Sequence, residues 1–242
     1  MLKPSFSRNR LRKRAKLISM TRFTQKLARR GSQKWIQLLA NHESHILNSH
    51  IRNALNLSEA EEIQWLSPLR KDDYAEYRDE AFLSLLQIKL ESLPLENFWP
   101  RGGPQWDALG RSSSGKLFLI EAKSHIGELI SDLQAKDGAS ISKIHTSLED
   151  TKRFLNARTR PDWTKSFYQY TNRLAHLHLL RKNAKDAYLV FVYFLNDREM
   201  KGPSTVSEWL GAIRLLKACL GIGKHKLSKY IVDLFIDVDQ IR

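Results

Sequence analysis

The stretch WDALGRSSSGKLFLIEAK, residues 106–123, decides how this chain reads. It runs as strand-type sequence to Gly110, turns through Arg111, Ser112, Ser113, Ser114 and Gly115, and resumes with Leu117, Phe118, Leu119 and Ile120. A Ser/Gly-rich tract between two such runs is a turn signal, so residues 105–110 and 116–123 are predicted to form a hairpin. Four consecutive apolar residues suit a strand covered on both faces. Side chains two apart on a strand share a face. Glu121 and Lys123 therefore project together, while Ala122 turns away and leaves its carbonyl available. A short turn brings Asp107 alongside them.

Upstream, Trp35, Ile36, Leu38 and Leu39, then Ile46, Leu47, Ile51 and Leu55, recur at helical spacing and predict a helical lead-in over residues 31–70. Ser67-Pro68 breaks it. Asp72 and Asp73 are expected to open a helix reaching about Ser92, with acids in its first turn and an apolar stripe of Phe82, Leu83, Leu86 and Leu90. Residues 97–104, with two prolines and two glycines, read as a short strand entering a tight loop. Downstream come helices over 126–134, 141–154 and 163–182, a buried strand over 187–195, a helix over 206–220 and a last strand over 230–238. The expected class is α/β, with one domain spanning 31–242.

Bulk composition narrows the field. Of 242 residues, 42% are hydrophobic and 27% charged, ordinary for a globular protein. Cys219 is the only cysteine, which excludes an intrachain disulfide and suits a reducing compartment, so a cytoplasmic location is expected. The longest clean apolar run, 187–195, is too short to cross a bilayer and lacks signal-peptide flanks, so no membrane partner is expected. The net charge of +14 is unevenly placed. Twelve Lys or Arg fall within the first 34 residues and no acid precedes Glu43, leaving 28 basic against 26 acidic residues beyond. Residues 1–30 read as a basic, flexible tail. Such a tail gains affinity for nucleic acid by releasing counterions from phosphates, though the same composition also fits an inert, solvated extension.

Carboxylates converging beside a lysine suit phosphodiester hydrolysis assisted by a divalent ion. Magnesium takes hard oxygen ligands and keeps several waters, so two or three carboxylates and a carbonyl suffice. A neighbouring lysine can orient water and stabilise charge developing on the phosphate.

Asp107 followed by Glu121-Ala122-Lys123 resembles the PD-(D/E)XK nuclease superfamily. Trp106 stands where the name-giving proline would be. The resemblance implies a restriction-endonuclease-like core, α-β-β-β-α-β, with a mixed central sheet flanked by helices. It implies that Asp107, Glu121 and the Ala122 carbonyl hold Mg²⁺, with Mn²⁺ able to substitute, and that Lys123 assists the water. A further acid is expected from the preceding helix: Glu80, with Glu76 as its rival and Asp79 also open. Longer stretches, such as FWPRGGPQWDALGR and YQYTNRLAHL, are similar to a bacterial branch of proteins. The implied activity is hydrolysis of phosphodiester bonds in DNA, with a homodimer open as a partner state. The alternative is a catalytically inactive nucleic-acid-binding or assembly protein on the same fold.

On the helix over 163–182, Gln169, Asn172, Arg173 and His176 form one polar stripe, with Tyr170, Leu174 and Leu177 as packing. Some superfamily branches place a Gln or Tyr here, so Gln169 and Arg173 are expected to contact the scissile phosphate; a plain solvent face is the competing reading. His42, His45 and His50 lack a zinc pattern. Trp35, Trp65, Trp99 and Trp209 read as core, and residues 221–224 do not form a phosphate loop.

Overall fold

The computed structural model describes residues 21–241, so the expectation of a flexible tail at residues 1–20 lies outside the described residues. In chain order the strands are β1 (Arg22–Phe23), β2 (Ile63–Ser67), β3 (Glu76–Tyr77), β4 (Ala108–Ser112), β5 (Leu117–Lys123), β6 (Ala187–Leu195) and β7 (Ile231–Asp237). The helices are α1 (Gly31–Asn41), α2 (Ser44–Leu55), α3 (Asp79–Leu85), α4 (Leu95–Phe98), α5 (Gly138–Leu155), α6 (Tyr168–Lys182) and α7 (Val206–Cys219).

The main sheet has five strands in the order β2-β4-β5-β6-β7. β2, β4 and β5 are an antiparallel meander; β6 and β7 then run parallel to β5. Alternation across the pleat sends Phe118, Ile120, Ala122, Val190, Val192 and Phe194 to one face, against Ile36, Leu39, Leu47 and Ile51 of α1 and α2. Leu117, Leu119, Leu189, Phe191 and Tyr193 face the other way, against α5, α6 and α7. Every position of β5 is buried, as its unbroken apolar run predicts. Each large apolar side chain enclosed this way contributes about 1.5–3 kcal/mol. Glu121 and Lys123 interrupt that apolar surface on the α6 side. Burying charge there is costly unless it is paired.

The structure is α/β, with a mixed sheet between helical layers, as expected. Among the described residues no helix is long and apolar enough to cross a membrane. Several elements differ from the sequence reading. The lead-in contains a strand: Ile63, Trp65 and Ser67 point inward with period two, and β2 pairs with β4. The meander therefore begins at β2. Residues 97–104 form no strand; α4 and a loop occupy that region, because Pro100 and Pro104 cannot donate to a ladder.

The long helix over 72–92 is also replaced. A 3₁₀ turn at Arg70–Asp72 leads through Asp73 and Tyr74 in left-handed conformation to β3, and α3 covers only Asp79–Leu85. Here tertiary pairing overrides helical propensity: β1 pairs with β3, and Tyr77 also bridges to Trp106. Residues 21–30, expected to be flexible, are thereby laid against the body. Residues 126–134 hold only a 3₁₀ turn at Ile126–Leu129, and α6 begins at Tyr168 rather than residue 163. α7 matches its expectation and carries a capping box between Thr205 and Glu208.

Candidate active site

The site forms where β4 leaves β5. Their backbone pairing ends at Ala108 opposite Ile120, and the Asp107 N–H still donates to the Ile120 carbonyl at 3.2 Å. One step further the Asp107 side chain takes over the ladder's role, as Oδ2 accepts from the Ala122 N–H at 2.7 Å. A residue's N–H and C=O lie on the same strand edge, so the Ala122 carbonyl faces this gap too. On its other edge β5 stays paired with β6 through Lys123 opposite Tyr193. The gap thus opens at the carboxyl ends of parallel strands, a common place for ligand crevices in α/β sheets.

Helix α6 closes one side. Lys123 Nζ donates to Glu121 Oε1 at 2.5 Å and to Gln169 Oε1 at 2.9 Å. Arg173 Nε donates to Glu121 Oε2 at 2.6 Å, Nη1 to Asn172 Oδ1 at 2.8 Å and Nη2 to the Gln105 carbonyl at 2.8 Å. Its guanidinium also lies 5.0 Å from the Trp106 ring centre. Gln105 Nε2 in turn donates to Glu76 Oε2 at 2.5 Å, so β3 delivers a third acid. These groups line a cleft of about 980 Å³.

The cluster has three acids, Glu76, Asp107 and Glu121, against two cations, Lys123 and Arg173. Burial works to raise the Glu121 pKa, but Arg173 and Lys123 hold it below the ordinary value. Glu121 is therefore an anion. Burial, with the charges of Glu121 and Glu76, pushes Asp107 well above the usual carboxylate range. Glu76 is raised by burial and by Glu121, against hydrogen bonds from Gln105 and Gln25. Among the described residues no cation is bonded to Asp107, whose one side-chain hydrogen bond is from the Ala122 N–H. The donor chemistry suits a hard divalent ion: carboxylate oxygens and a backbone carbonyl around a local excess of negative charge. Among the described residues, however, no three His, Cys, Asp or Glu side chains stand together as a metal-holding group. Both oxygens of Glu121 are bound by side chains, and one oxygen of Glu76 is held by Gln105.

The structure brings together Asp107, Glu121, Ala122, Lys123, Gln169, Arg173 and Glu76. It leaves out Glu80. That residue is exposed and lines a separate hollow with Leu83, Ser84, Gln87 and Glu96. The reason is the shortness of α3: Asp79, Phe82 and Leu83 take its buried face and turn Glu80 outward. Glu76, the rival, reaches the cleft from a strand instead of a helix. Asp79 accepts the Gly102 and Gly103 N–H groups and shapes the loop above.

The polar stripe of α6 is buried, with Asn172, Arg173 and His176 each under 7% exposed. This overturns the solvent-face reading. It also revises the role expected of Arg173, whose guanidinium is spent on Glu121, Asn172 and Gln105 and does not point freely at a phosphate. His176 packs 4.8 Å from the Trp99 ring, and burial lowers its pKa to about 3, so it is a neutral core residue. Trp65, Trp99 and Trp209 are core as expected, while Trp35 is half-buried and donates to Asp197 at 2.6 Å. Sequence reasoning missed Gln105 and Gln25. A neutral amide carries no charge signal, and Gln25 meets Glu76 only because β1 pairs with β3.

No protein-family model, curated protein or solved structure matches this chain.

Proposed function

We propose that the protein is a metal-dependent phosphodiesterase acting on nucleic acid, DNA first, built on a restriction-endonuclease-like core. The observation that carries this reading is the convergence of Asp107, Glu121 and Lys123 on one cleft, with Glu76 beside them. The sheet order supports it: an antiparallel meander passes directly into parallel strands at the strand that bears Glu121 and Lys123.

Asp107, Glu121 and the Ala122 carbonyl would hold the divalent ion, with Glu76 as the further acid. When bound, that ion polarises phosphate and lowers the pKa of water. Lys123 is placed to hold the attacking water or a non-bridging phosphate oxygen, and its hydrogen bond to Gln169 fixes the ammonium there. Arg173 acts through Glu121, fixing that carboxylate's orientation. The competing reading, a binding protein without activity, draws on the ion pairs that occupy both Glu121 oxygens.

Purified protein with Mg²⁺ or Mn²⁺ should cleave DNA or RNA, chelator should stop it, and Asp107→Ala and Lys123→Ala should each abolish cleavage with circular dichroism unchanged. If the wild-type chain retains nucleic acid but cuts neither polymer with either ion, the enzymatic reading is lost and the binding reading stands.

A further inference from the structure

We infer that residues 24–34 form a cationic strap along one rim of the cleft that binds the phosphodiester backbone of nucleic acid. The inference shares the nucleic-acid partner of the proposed function but does not depend on hydrolysis.

The strap is held at both ends against cleft-lining groups. At its start, Phe23 pairs opposite Glu76, the Gln25 N–H donates to the Asp73 carbonyl at 2.8 Å, and the Gln25 side chain lies near enough to Glu76 to draw its pKa down. At its end, Gly31 turns with φ +77° into α1, and Ser32, which lines the cleft, donates to Glu128 at 3.3 Å. The middle is clamped by the buried Gln37, whose Oε1 accepts from the Ala28 N–H at 2.7 Å and whose Nε2 donates to the Lys26 carbonyl at 3.3 Å. A fully buried amide holding a surface segment by its backbone leaves that segment's side chains free for solvent or a partner.

Those side chains are cations. Lys26, Arg29 and Arg30 are exposed, and among the described residues none of them takes part in an ion pair. Arg22, just before the strap, is spent on Asp72, and Lys34, at its end, lies over the Trp35 ring. Two further exposed cations, Arg101 and Lys136, line the cleft itself. Three uncompensated charges pinned within five residues repel one another. A polyanion along the rim relieves that repulsion and releases its own condensed counterions. Arg is suited to bidentate phosphate contact.

The test uses the full chain, a short fluorescent DNA duplex and anisotropy in chelator, so that no cleavage intrudes, over a series of salt concentrations. Lys26→Gln/Arg29→Gln/Arg30→Gln removes the strap's charges. Lys224→Gln/Lys226→Gln/Lys229→Gln removes equal charge before β7, at the other end of the parallel strands. The strap variant should bind roughly tenfold or more weakly, with the slope of log affinity against log salt reduced by about 2–3, at about 0.9 per lost contact. The control should stay within about twofold of wild type, and both variants should melt with it. Equal losses in the two variants, an unchanged slope in the strap variant, or no binding by wild type would each overturn the inference. Binding through the strap, together with no cleavage once Mg²⁺ or Mn²⁺ replaces the chelator, would instead sink the hydrolytic reading alone.

Discussion

Asp107 shows what it costs to bury an acid beside other acids. Its carboxyl opens to the cleft but is otherwise surrounded by protein, beside two other acids, and its pKa is raised by burial and by their charges. In the unfolded chain it titrates near the ordinary value of about 3.9. Between that value and the raised one, the native state holds a proton that the unfolded chain has lost. Native stability contributed by this group is therefore present at low pH and lost as pH rises through the raised midpoint. Asp107→Asn keeps an acceptor for the Ala122 N–H while removing the charge. The variant should melt above wild type at neutral pH, by up to about 1.4 kcal/mol for every pH unit the midpoint is displaced, and the gap should close towards pH 4. Melting curves across pH read this directly. A gap that stays constant with pH would show that charge is not its origin. Addition of Mn²⁺ should narrow the gap if the ion supplies the missing positive charge.

At the scale of elements, the site depends on how β5 is held after its last residue. Asp197 accepts from Trp35 and, through its carbonyl, from the Gly202 N–H at 2.9 Å, tying residues 197–202 to α1. A Cβ on Gly202 would lie 2.2 Å from the Ser124 carbonyl oxygen, one residue beyond Lys123. Only glycine permits that approach. Gly202→Ala should destabilise the fold by about 1–3 kcal/mol, measured in denaturant, because the atom it meets is backbone and cannot swing aside. Unchanged stability would mean the loop packs less closely than described. Much at this scale was legible beforehand. The hairpin, the buried runs of β5 and β6, and α7 follow from turn residues and unbroken apolar sequence. Glu121 and Lys123 share a face by strand periodicity alone. β2 and β3 were not legible, because Ile63–Ser67 and Glu76–Tyr77 are short and owe their extended form to partners distant in sequence. For the same reason the sequence favours Glu80 over Glu76.

Across the whole molecule, one sheet separates two apolar layers, and β5 and β6 lie between them with partners on both edges. Opening either strand means breaking both layers. The β1–β3 ribbon pairs only two residues a side. Amide hydrogen exchange should therefore be slowest in β5 and β6, and the ribbon with the adjoining strap should exchange far earlier. Mass spectrometry of exchanged peptides would test this. Equal protection of ribbon and central strands would contradict the layered picture and would place the strap among the most rigid elements.

By itself, the sequence determined the α/β class, the hairpin and the pairing of Glu121 with Lys123 on one face, since periodicity and turn chemistry act over a few residues. It also determined the surplus of positive charge near the amino terminus. Three features emerge only from the folded chain: Glu76 is the third acid of the cleft, Arg173 is tied to Glu121, and Ser32 reaches the cleft wall. Each of those rests on contacts between segments far apart in the chain, where local propensity carries no information and long-range packing sets the outcome.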